Sequence, residues 1–191
     1  MVKRLSCNAG WRRLVGSVLL LAGAAQPSMA RQRHHEAPKP ATSEPAKPTL
    51  VGSFGDWGAY ATEGKSKVCY ALGKPKDRTP GGVKKEQAYV FISSRPSEGV
   101  KNEISVMMGV PLKEGGAVAR AEVGSASFDL VAKGQNAWMK NAADESRVID
   151  AMRKGGKLIV KGTLVKGGLV TDSYSLAGLA QALDRASRDC R

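Results

Sequence analysis

The sequence predicts a mainly β domain in which antiparallel strands form a sandwich or a barrel, with two helices added. Three observations lead to this prediction. Beyond about residue 50, short runs rich in Val, Ile, Tyr and Phe alternate with glycine-containing breaks, a pattern typical of antiparallel folds. Two segments instead follow the 3.6-residue period of a helix. The stretch from Leu50 to Arg191 has the length of one domain.

Eight segments carry the strand pattern. Along the chain they are residues 58–60, 67–72, 88–93, 103–108, 120–123, 127–132, 157–165 and 169–173. Turn residues at Glu63-Gly64, at Gly124-Ser125 and at positions 166–168 predict three hairpins. Residues 88–93 have the composition of a buried strand. In residues 103–108, Ile104, Val106 and Met108 alternate with other residues and should share one face.

Two helices are expected after these strands. Residues 144–154 place Val148, Ile149 and Met152 on one face, and Gly155-Gly156 is a favourable C-terminal stop. For the C-terminal helix we predict an N-cap at Ser175. In this helix Leu176, Leu179, Ala180 and Leu183 are spaced as a core-facing stripe. A continuous helix brings Cys190 onto that same face.

The first thirty residues have the pattern of a secretory signal peptide. A positive start contains Lys3 and Arg4, an apolar run covers residues 14–25, and Ser28-Met29-Ala30 supplies small residues before a cleavage site. We expect cleavage between Ala30 and Arg31. The alternative is a retained anchor, although the apolar run is shorter than the roughly 20 residues that span a bilayer.

The expected mature chain begins with a tether at residues 31–49, rich in Pro, Ala and Lys, with little apolar surface to bury. Such a composition predicts an extended, disordered segment. After cleavage, 26 basic and 17 acidic side chains remain, a formal charge of +9. This excess favours weak attraction to anionic surfaces such as lipopolysaccharide, phospholipid headgroups or acidic glycans. The alternative is a solvated basic surface with no dedicated partner. The excess does not predict nucleic-acid binding, because no aromatic-basic motif accompanies it.

Cysteine usage agrees with export. Cys7 should be removed with the signal peptide, which leaves Cys69 and Cys190 as an even pair in an oxidising compartment. We predict a disulfide between them, on the argument that the helical stripe turns Cys190 towards the sheet that holds Cys69. The alternative is two buried free thiols.

The residues of the domain exclude several kinds of chemistry. His34 and His35 are the only histidines and both lie in the tether, so no catalytic site or metal centre that depends on histidine is expected in the domain. No Ser has the surroundings of a known nucleophile motif. The carboxylates Asp56, Glu103, Asp129 and Asp172 are isolated in the sequence. We therefore predict no enzyme activity, no cofactor and no metal.

The order of several short motifs resembles the invasion-associated locus B family of alphaproteobacterial envelope proteins. The matching stretches are Phe54-Gly-Asp-Trp57 with Cys69 following, Ala88-Tyr-Val-Phe-Ile-Ser93, Phe128-Asp-Leu130, Ala137-Trp138, Val148-Ile-Asp-Ala-Met-Arg-Lys-Gly155, Leu158-Ile-Val160 and Asp172-Ser-Tyr-Ser-Leu-Ala-Gly178. A Trp-x-x-Cys arrangement that is common in the family is absent, since Tyr60 stands where the Cys would be.

The resemblance implies an immunoglobulin-like antiparallel β-sandwich in residues 50–191, export to the periplasm or cell surface, and an association with host-cell invasion in pathogenic members. It implies no catalytic residues. Among the matched residues we expect Trp57, Trp138, Tyr174 and Leu176 to be structural anchors, the two tryptophans as core side chains.

The leading hypothesis is an exported, non-enzymatic envelope protein that binds a protein, an envelope component or an anionic host surface. The alternative is an enzyme or carrier that acts on an envelope polymer or lipid. A deep pocket in which several carboxylates converge would favour the alternative.

Overall fold

The computed structural model describes residues 47–191. The predicted signal peptide, its cleavage between Ala30 and Arg31, and the tether up to residue 46 lie outside these residues. The first strand begins at Thr49, which pairs with Ala61. The domain therefore includes the last residue that the sequence assigned to the tether.

The domain is mainly β and contains two α-helices, as predicted. Its helices are α1 (Glu145–Lys154) and α2 (Leu179–Asp189), and short 3-10 turns cover Pro96–Glu98 and Ala142–Asp144. Its strands are β1 (Thr49–Phe54), β2 (Trp57–Ala61), β3 (Cys69–Gly73), β4 (Asp77–Thr79), β5 (Tyr89–Arg95), β6 (Val100–Met107), β7 (Gly115–Val123), β8 (Ala126–Lys133), β9 (Asn136–Met139), β10 (Lys157–Thr163) and β11 (Leu169–Ser175).

Backbone hydrogen bonds join the strands into one sheet in the order β1-β2-β3-β5-β6-β9-β8-β7-β10-β11-β4. Every neighbouring pair is antiparallel. Between β3 and β5, the chain crosses to the far edge to form β4 beside β11. Because the ladder is continuous, it does not divide the strands into two separate sheets, and the immunoglobulin-like arrangement stays a prediction.

The sheet is curled, so that strands far apart in its order approach each other. Trp57 on β2 donates its indole N–H to the carbonyl of Ser175 on β11 at 2.9 Å. The backbone N–H of Asp56, before β2, donates to the carbonyl of Ala177 at 3.1 Å. Apolar side chains of the inner face, together with α1 and α2, form one buried core.

The three predicted hairpins are confirmed as β2–β3, β7–β8 and β10–β11. The expected face of residues 103–108 is confirmed as well, since Ile104, Val106 and Met108 are all buried. The sequence patterns did not predict β1, β4 or β9. β4 and β9 have only three and four residues, too few to show an alternating pattern.

Helix α1 agrees with its prediction. Val148, Ile149 and Met152 are its buried residues, and the helix ends at Gly155. A Cβ atom at Gly155 would lie 2.6 Å from Cγ1 of Val123. The glycine thus ends the helix and also allows the chain to pass close to β7.

The predicted N-cap of the C-terminal helix is wrong. Ser175 is the last residue of β11, where it pairs with Lys157 of β10, and α2 begins only at Leu179 after Gly178. The strand ladder uses the backbone of Ser175, so a helix cannot start there. Its hydroxyl accepts a hydrogen bond from the N–H of Ala177 at 3.2 Å and so stabilises the turn that precedes the helix.

A disulfide joins Cys69 on β3 to Cys190 at the end of α2, with the two Cα atoms 5.8 Å apart. The bridge forms because Cys190 follows Ala186, a buried residue of α2, by four positions and therefore lies on the same helix face. Lys67 supports this end of the helix by donating its ammonium group to the carbonyls of Asp189 at 3.0 Å and Arg191 at 3.3 Å.

Candidate binding surface

The outer side of the sheet is divided into two parts of different chemistry. Opposite residues of antiparallel strands share a face, so the strand register determines which side chains lie together. From β1 to β8 in the sheet order, the outer side carries many apolar and aromatic residues. We call this part the aromatic strip, and its members are Leu50, Tyr60, Tyr70, Leu72, Tyr89, Phe91, Met107, Val131 and Trp138.

The strip is continuous across the strands. Its directly opposite pairs are Leu50–Tyr60, Tyr60–Tyr70, Leu72–Phe91, Tyr89–Met107 and Trp138–Val131. Polar residues lie between them on the same face: Ser93 is opposite Tyr70, Ser105 is opposite both Phe91 and Trp138, and Asn136 is opposite Met107. The strip therefore combines aromatic surface with neutral hydrogen-bonding groups.

Four rings of the strip contact one another. The rings of Tyr60 and Tyr70 are stacked with centroids 5.1 Å apart, Tyr70 and Phe91 are 5.8 Å apart, and Tyr89 and Phe91 are 5.9 Å apart. Such pairs stabilise one another beyond their buried area. Burial, with a further contribution from Tyr60, raises the pKa of the Tyr70 hydroxyl. These four rings of the aromatic strip therefore form a packed surface rather than a set of mobile side chains.

Gly58 gives the Tyr60 ring its place on the strip. A Cβ atom at Gly58 would lie 2.8 Å from Cε2 of Tyr60 and 3.2 Å from Cδ1 of Leu50. Such distances are too short for a larger residue to fit without moving the ring. The glycine thus allows Tyr60 to lie against β2 and extend towards Leu50.

Trp138 corrects a prediction. The sequence predicts a core anchor at this position, but 39% of the residue's surface is exposed. The alternation of β9 explains the difference, because its neighbour Ala137 is fully buried and successive strand residues point to opposite faces. Trp138 therefore lies on the outer side, between Ser105 of β6 and Val131 of β8.

A groove of about 410 Å³ opens at the β1 end of the strip. Leu50, Tyr60 and Leu72 supply its apolar wall, and Lys74 and Lys76 lie at its border. The ammonium group of Lys74 is 5.6 Å from the centroid of the Tyr89 ring, a cation–π distance. This end of the strip thus combines an apolar wall with positive charge.

Three carboxylates beside the strip are in ion pairs. Asp56 is paired with Lys76, Glu103 with Arg95 at 2.8 Å, and Asp129 with Arg120 at 3.5 Å and Lys140 at 4.0 Å. The hydrogen bonds from Lys76 and then from Ser175 lower the pKa of Asp56. By contrast, Lys74 and Lys133 form no ion pair with any residue from 47 to 191. The border of the strip is therefore positive.

The remaining outer side, on β7, β10, β11 and β4, is mostly polar, although Leu169 on β11 is 51% exposed. Lys161 and Glu122 form an ion pair at 2.8 Å there. A groove of about 560 Å³ beside α1 also has mixed charge, since Asp144 at its edge is paired with Arg147 at 2.7 Å. Neither feature brings unpaired carboxylates together.

A buried charged cluster holds the far edge of the sheet. The Arg78 guanidinium on β4 donates two hydrogen bonds of 2.5 Å to the Asp172 carboxylate on β11. It also donates to the carbonyl of Met108 at 2.7 Å and to that of Lys84. Tyr174 lies next to this pair, with its hydroxyl 3.4 Å from Asp172. Every polar atom of the cluster has a partner, which is typical of a structural network.

The other three predicted anchors are buried. Trp57 is 2% exposed and Tyr174 is fully buried, while Leu176 is 6% exposed. Leu176 lies before α2 rather than inside it, and its backbone N–H donates to the carbonyl of Gly156 at 3.1 Å. These residues are thus structural, as expected, although the position of Leu176 differs.

Two further features are absent from residues 47–191. Within residues 47–191, no three His, Cys, Asp or Glu side chains are arranged to hold a metal ion. In the same residues, neither helix has the length and apolar character needed to cross a membrane.

No protein-family model, curated protein or solved structure matches this chain.

The aromatic strip was not predicted, although the sequence contains a signal for it. β3 and β5 have apolar residues at consecutive positions, as in Tyr89-Val90-Phe91-Ile92, rather than only at alternate ones. Such a run was interpreted as a buried strand. In the structure Val90 and Ile92 are buried, whereas Tyr89 and Phe91 remain partly exposed on the outer side.

Proposed function

We propose that this protein is an exported, non-enzymatic component of the cell envelope that binds a partner through its aromatic strip. The single observation that carries the proposal is the strip itself, with Trp138 39% exposed at one end and Leu50 50% exposed at the other. Contiguous apolar surface is uncommon on monomeric proteins and marks interaction sites. Aromatic residues and Met are also enriched in interfaces.

Export is supported by the disulfide and by the N-terminal sequence pattern. A bridge between Cys69 and Cys190 is expected in proteins that fold in an oxidising compartment. The first thirty residues carry the pattern of a secretory signal peptide. Periplasmic or cell-surface localisation, an immunoglobulin-like organisation and a role in host-cell invasion, as in the resembled family, are part of the proposal.

The ion pairs support binding over catalysis. The alternative, an enzyme or carrier acting on an envelope polymer or lipid, was expected to show a deep pocket with converging carboxylates. In the groove beside β1, the carboxylate of Asp56 is neutralised by Lys76. In the groove beside α1, cations lie within 4.0 Å of both Asp129 and Asp144. This arrangement favours the binding proposal.

The test is recovery of an envelope component by immobilised mature protein, compared between variants. Trp138→Ala should lose most of the component that the unchanged protein retains, because interface energy is concentrated in a few aromatic residues. Val165→Ala is the matched control, since Val165 is 62% exposed in the β10–β11 turn, away from the strip. Equal recovery by the unchanged protein and Trp138→Ala would contradict the proposal.

A further inference from the structure

The shape of the aromatic strip restricts what it can bind. The strip crosses seven strands, from β1 to β8 in the sheet order, and neighbouring strands lie 4.7–4.9 Å apart, so it is about 30 Å long. Along each strand it is only one or two outward residues wide; β3, for example, contributes Tyr70 and Leu72. A long, narrow surface fits an extended chain better than a compact ligand.

The chemistry along the strip alternates. Ser105 and Asn136 lie partly exposed among the aromatic rings on the same face, whereas Ser93 lies there but is only 8% exposed. A sugar ring has an apolar C–H face and a border of hydroxyl groups. An aromatic side chain can pack against that face, while neighbouring hydroxyl and amide groups exchange hydrogen bonds with the border. The alternation therefore matches a chain of sugar rings.

Positive charge lies beside the strip at two places. Lys74 is above the Tyr89 ring of β5, near the middle of the strip, and Lys133 is at the β8 end, opposite Asn136. Asp56, Glu103 and Asp129 are already paired, as described above. The described domain is basic as a whole, with 23 Lys and Arg against 15 Asp and Glu in residues 47–191. A ligand that is anionic along its length would satisfy both lysines.

We infer that the partner of the aromatic strip is an anionic polysaccharide, lying across the strands with its sugar rings on the aromatic residues and its acidic groups near Lys74 and Lys133. This inference rests on the proposed binding function and specifies the chemical class of the partner.

Two other occupants fit the surface less well. A second copy of the chain would bring two positively charged borders together, and like charges oppose such contact. A lipid bilayer would surround Ser105 and Asn136 with hydrocarbon, where polar groups without hydrogen-bond partners are costly. An anionic polysaccharide satisfies both the charges and the polar groups.

Binding can be measured with defined polymers. The probes are polygalacturonate, alginate and dextran sulfate, with uncharged dextran as the matched control for the last. The expected mature chain contains two tryptophans, Trp57 and Trp138, of which only Trp138 is exposed. Binding of an anionic probe should therefore change the fluorescence of Trp138, and dextran should have no effect.

Variants separate the strip from general charge attraction. Because Trp138 variants lose this fluorescence signal, their binding is measured by isothermal titration calorimetry, as is that of the unchanged protein. Trp138→Ala should weaken binding about tenfold or more, and Trp138→Phe should restore part of it. Lys74→Glu and Lys133→Glu should each weaken binding and reduce its dependence on salt. Lys166→Glu, in the exposed β10–β11 turn, is the charge-matched control and should bind like the unchanged protein.

The outcomes distinguish the inference from the proposed function. Binding of dextran sulfate that Trp138→Ala leaves unchanged would mean charge attraction only, and would overturn the inference. Failure of all three anionic polymers to bind would also overturn it. If recovery of the envelope component still required Trp138 in that case, the proposed function would stand with a protein as the partner. If that recovery did not require Trp138, both would fail.

Discussion

In the buried pair of Arg78 and Asp172, a single arginine side chain connects several segments of the chain. The exposed fractions of the two side chains are 2% and 0%. The guanidinium contacts β11, the carbonyl of Met108 after β6, and the carbonyl of Lys84 in the loop before β5. One arginine therefore donates to polar groups from three parts of the chain, of which the Asp172 carboxylate is fully buried.

Removing this arginine should be costly. We expect Arg78→Met to lower the free energy of unfolding by roughly 3–5 kcal/mol, because it leaves the Asp172 carboxylate buried and unpaired. Urea-induced unfolding measures the change. Lys161→Met is the control: its ion pair with Glu122 is partly exposed, so its loss should cost about 1 kcal/mol or less. Equal losses of unfolding free energy in the two variants would show that burial does not increase the cost of breaking the Arg78–Asp172 ion pair.

Tyr174 should make the domain sensitive to alkaline pH. Burial, reinforced by the neighbouring Asp172 charge, raises the pKa of its hydroxyl well above 10.0. Below pH 10 the hydroxyl keeps its proton in both states. Above this value the unfolded chain loses the proton first, so the unfolded state is favoured as pH rises.

The measurement is the free energy of unfolding at pH 9 and at about pH 11, compared between the unchanged protein and Tyr174→Phe. The unchanged protein should lose more stability over this interval than Tyr174→Phe does. Tyr89→Phe, which changes a tyrosine of the aromatic strip, should behave like the unchanged protein. An identical loss in all three would exclude a role for Tyr174.

The burial of Trp57 could be predicted from the sequence, whereas the exposure of Trp138 could not. Both tryptophans occur in motifs of the resembled family, and large aromatic residues are usually core residues. Whether a strand residue is buried depends on which of the two alternating faces it occupies. Because β9 has only four residues, its sequence is too short to show the alternation. Because Ala137 takes the inward position in this strand, Trp138 points outward. Trp57 occupies an inward position of β2 and is buried, as predicted.

At the scale of elements, the approach of α2 to the β1–β2 turn depends on glycine. Gly178 precedes the helix with φ +90°, and a Cβ atom there would lie 1.9 Å from the carbonyl oxygen of Phe54. The backbone of the turn therefore passes directly over this position. The sequence did not predict this start for α2, because Ser175 looked like a better N-cap and the contact with Phe54 is long-range.

We expect Gly178→Ala to destabilise the domain by more than the roughly 1–2 kcal/mol that a left-handed backbone costs a residue other than glycine. The additional cost comes from the clash with the Phe54 carbonyl. The control is Gly82→Ala, since Gly82 has a similar φ of +87° but nothing within 4 Å of its Cβ position. Chemical unfolding of the two variants compares their free energies of unfolding. A smaller loss for Gly178→Ala than for Gly82→Ala would contradict this account.

The strand pairs with short turns were predictable because adjacent segments pair locally, as in β2–β3, β7–β8 and β10–β11. The position of β4 was not. It pairs with β11, more than ninety residues later, through Arg78 and Asp172, and no local pattern records such a contact. The aromatic strip was hidden for the same reason, because its members come together only when β2, β3, β5, β6, β9 and β8 are neighbours.

The disulfide fixes the far end of α2 to β3. It joins residues 121 positions apart, and closing a loop of this length stabilises the folded chain by roughly 4–5 kcal/mol in the chain-entropy model. We expect Cys190→Ala to lower the free energy of unfolding by about 2–5 kcal/mol. Denaturant unfolding should give the same value for Cys69→Ala/Cys190→Ala. Two reactive thiols in the unfolded, unreduced protein would disprove the bridge.

In the whole molecule, the curled sheet separates a structural side from the side that we propose to bind a partner. The inner side holds the core, both helices and the disulfide, whereas the outer side carries the aromatic strip and the polar part. Substitutions on the strip should therefore change binding more than stability. The buried residues below it, such as Val90 and Ile92, keep the strands in register when an outer side chain is replaced.

The last prediction concerns the compartment in which this molecule folds. The signal-peptide pattern predicts cleavage after Ala30, and the disulfide requires oxidation that the bacterial periplasm supplies and the cytosol does not. The protein isolated from its native envelope should therefore begin at Arg31, and its intact mass should lack the two thiol hydrogens. A chain made in the cytosol without residues 1–30 should keep both hydrogens and unfold at lower denaturant concentration. Intact-mass spectrometry of the two samples, with urea unfolding of each, tests both parts. Protein from the envelope that still begins at Met1, or that carries free Cys69 and Cys190, would contradict the link between export and the fold.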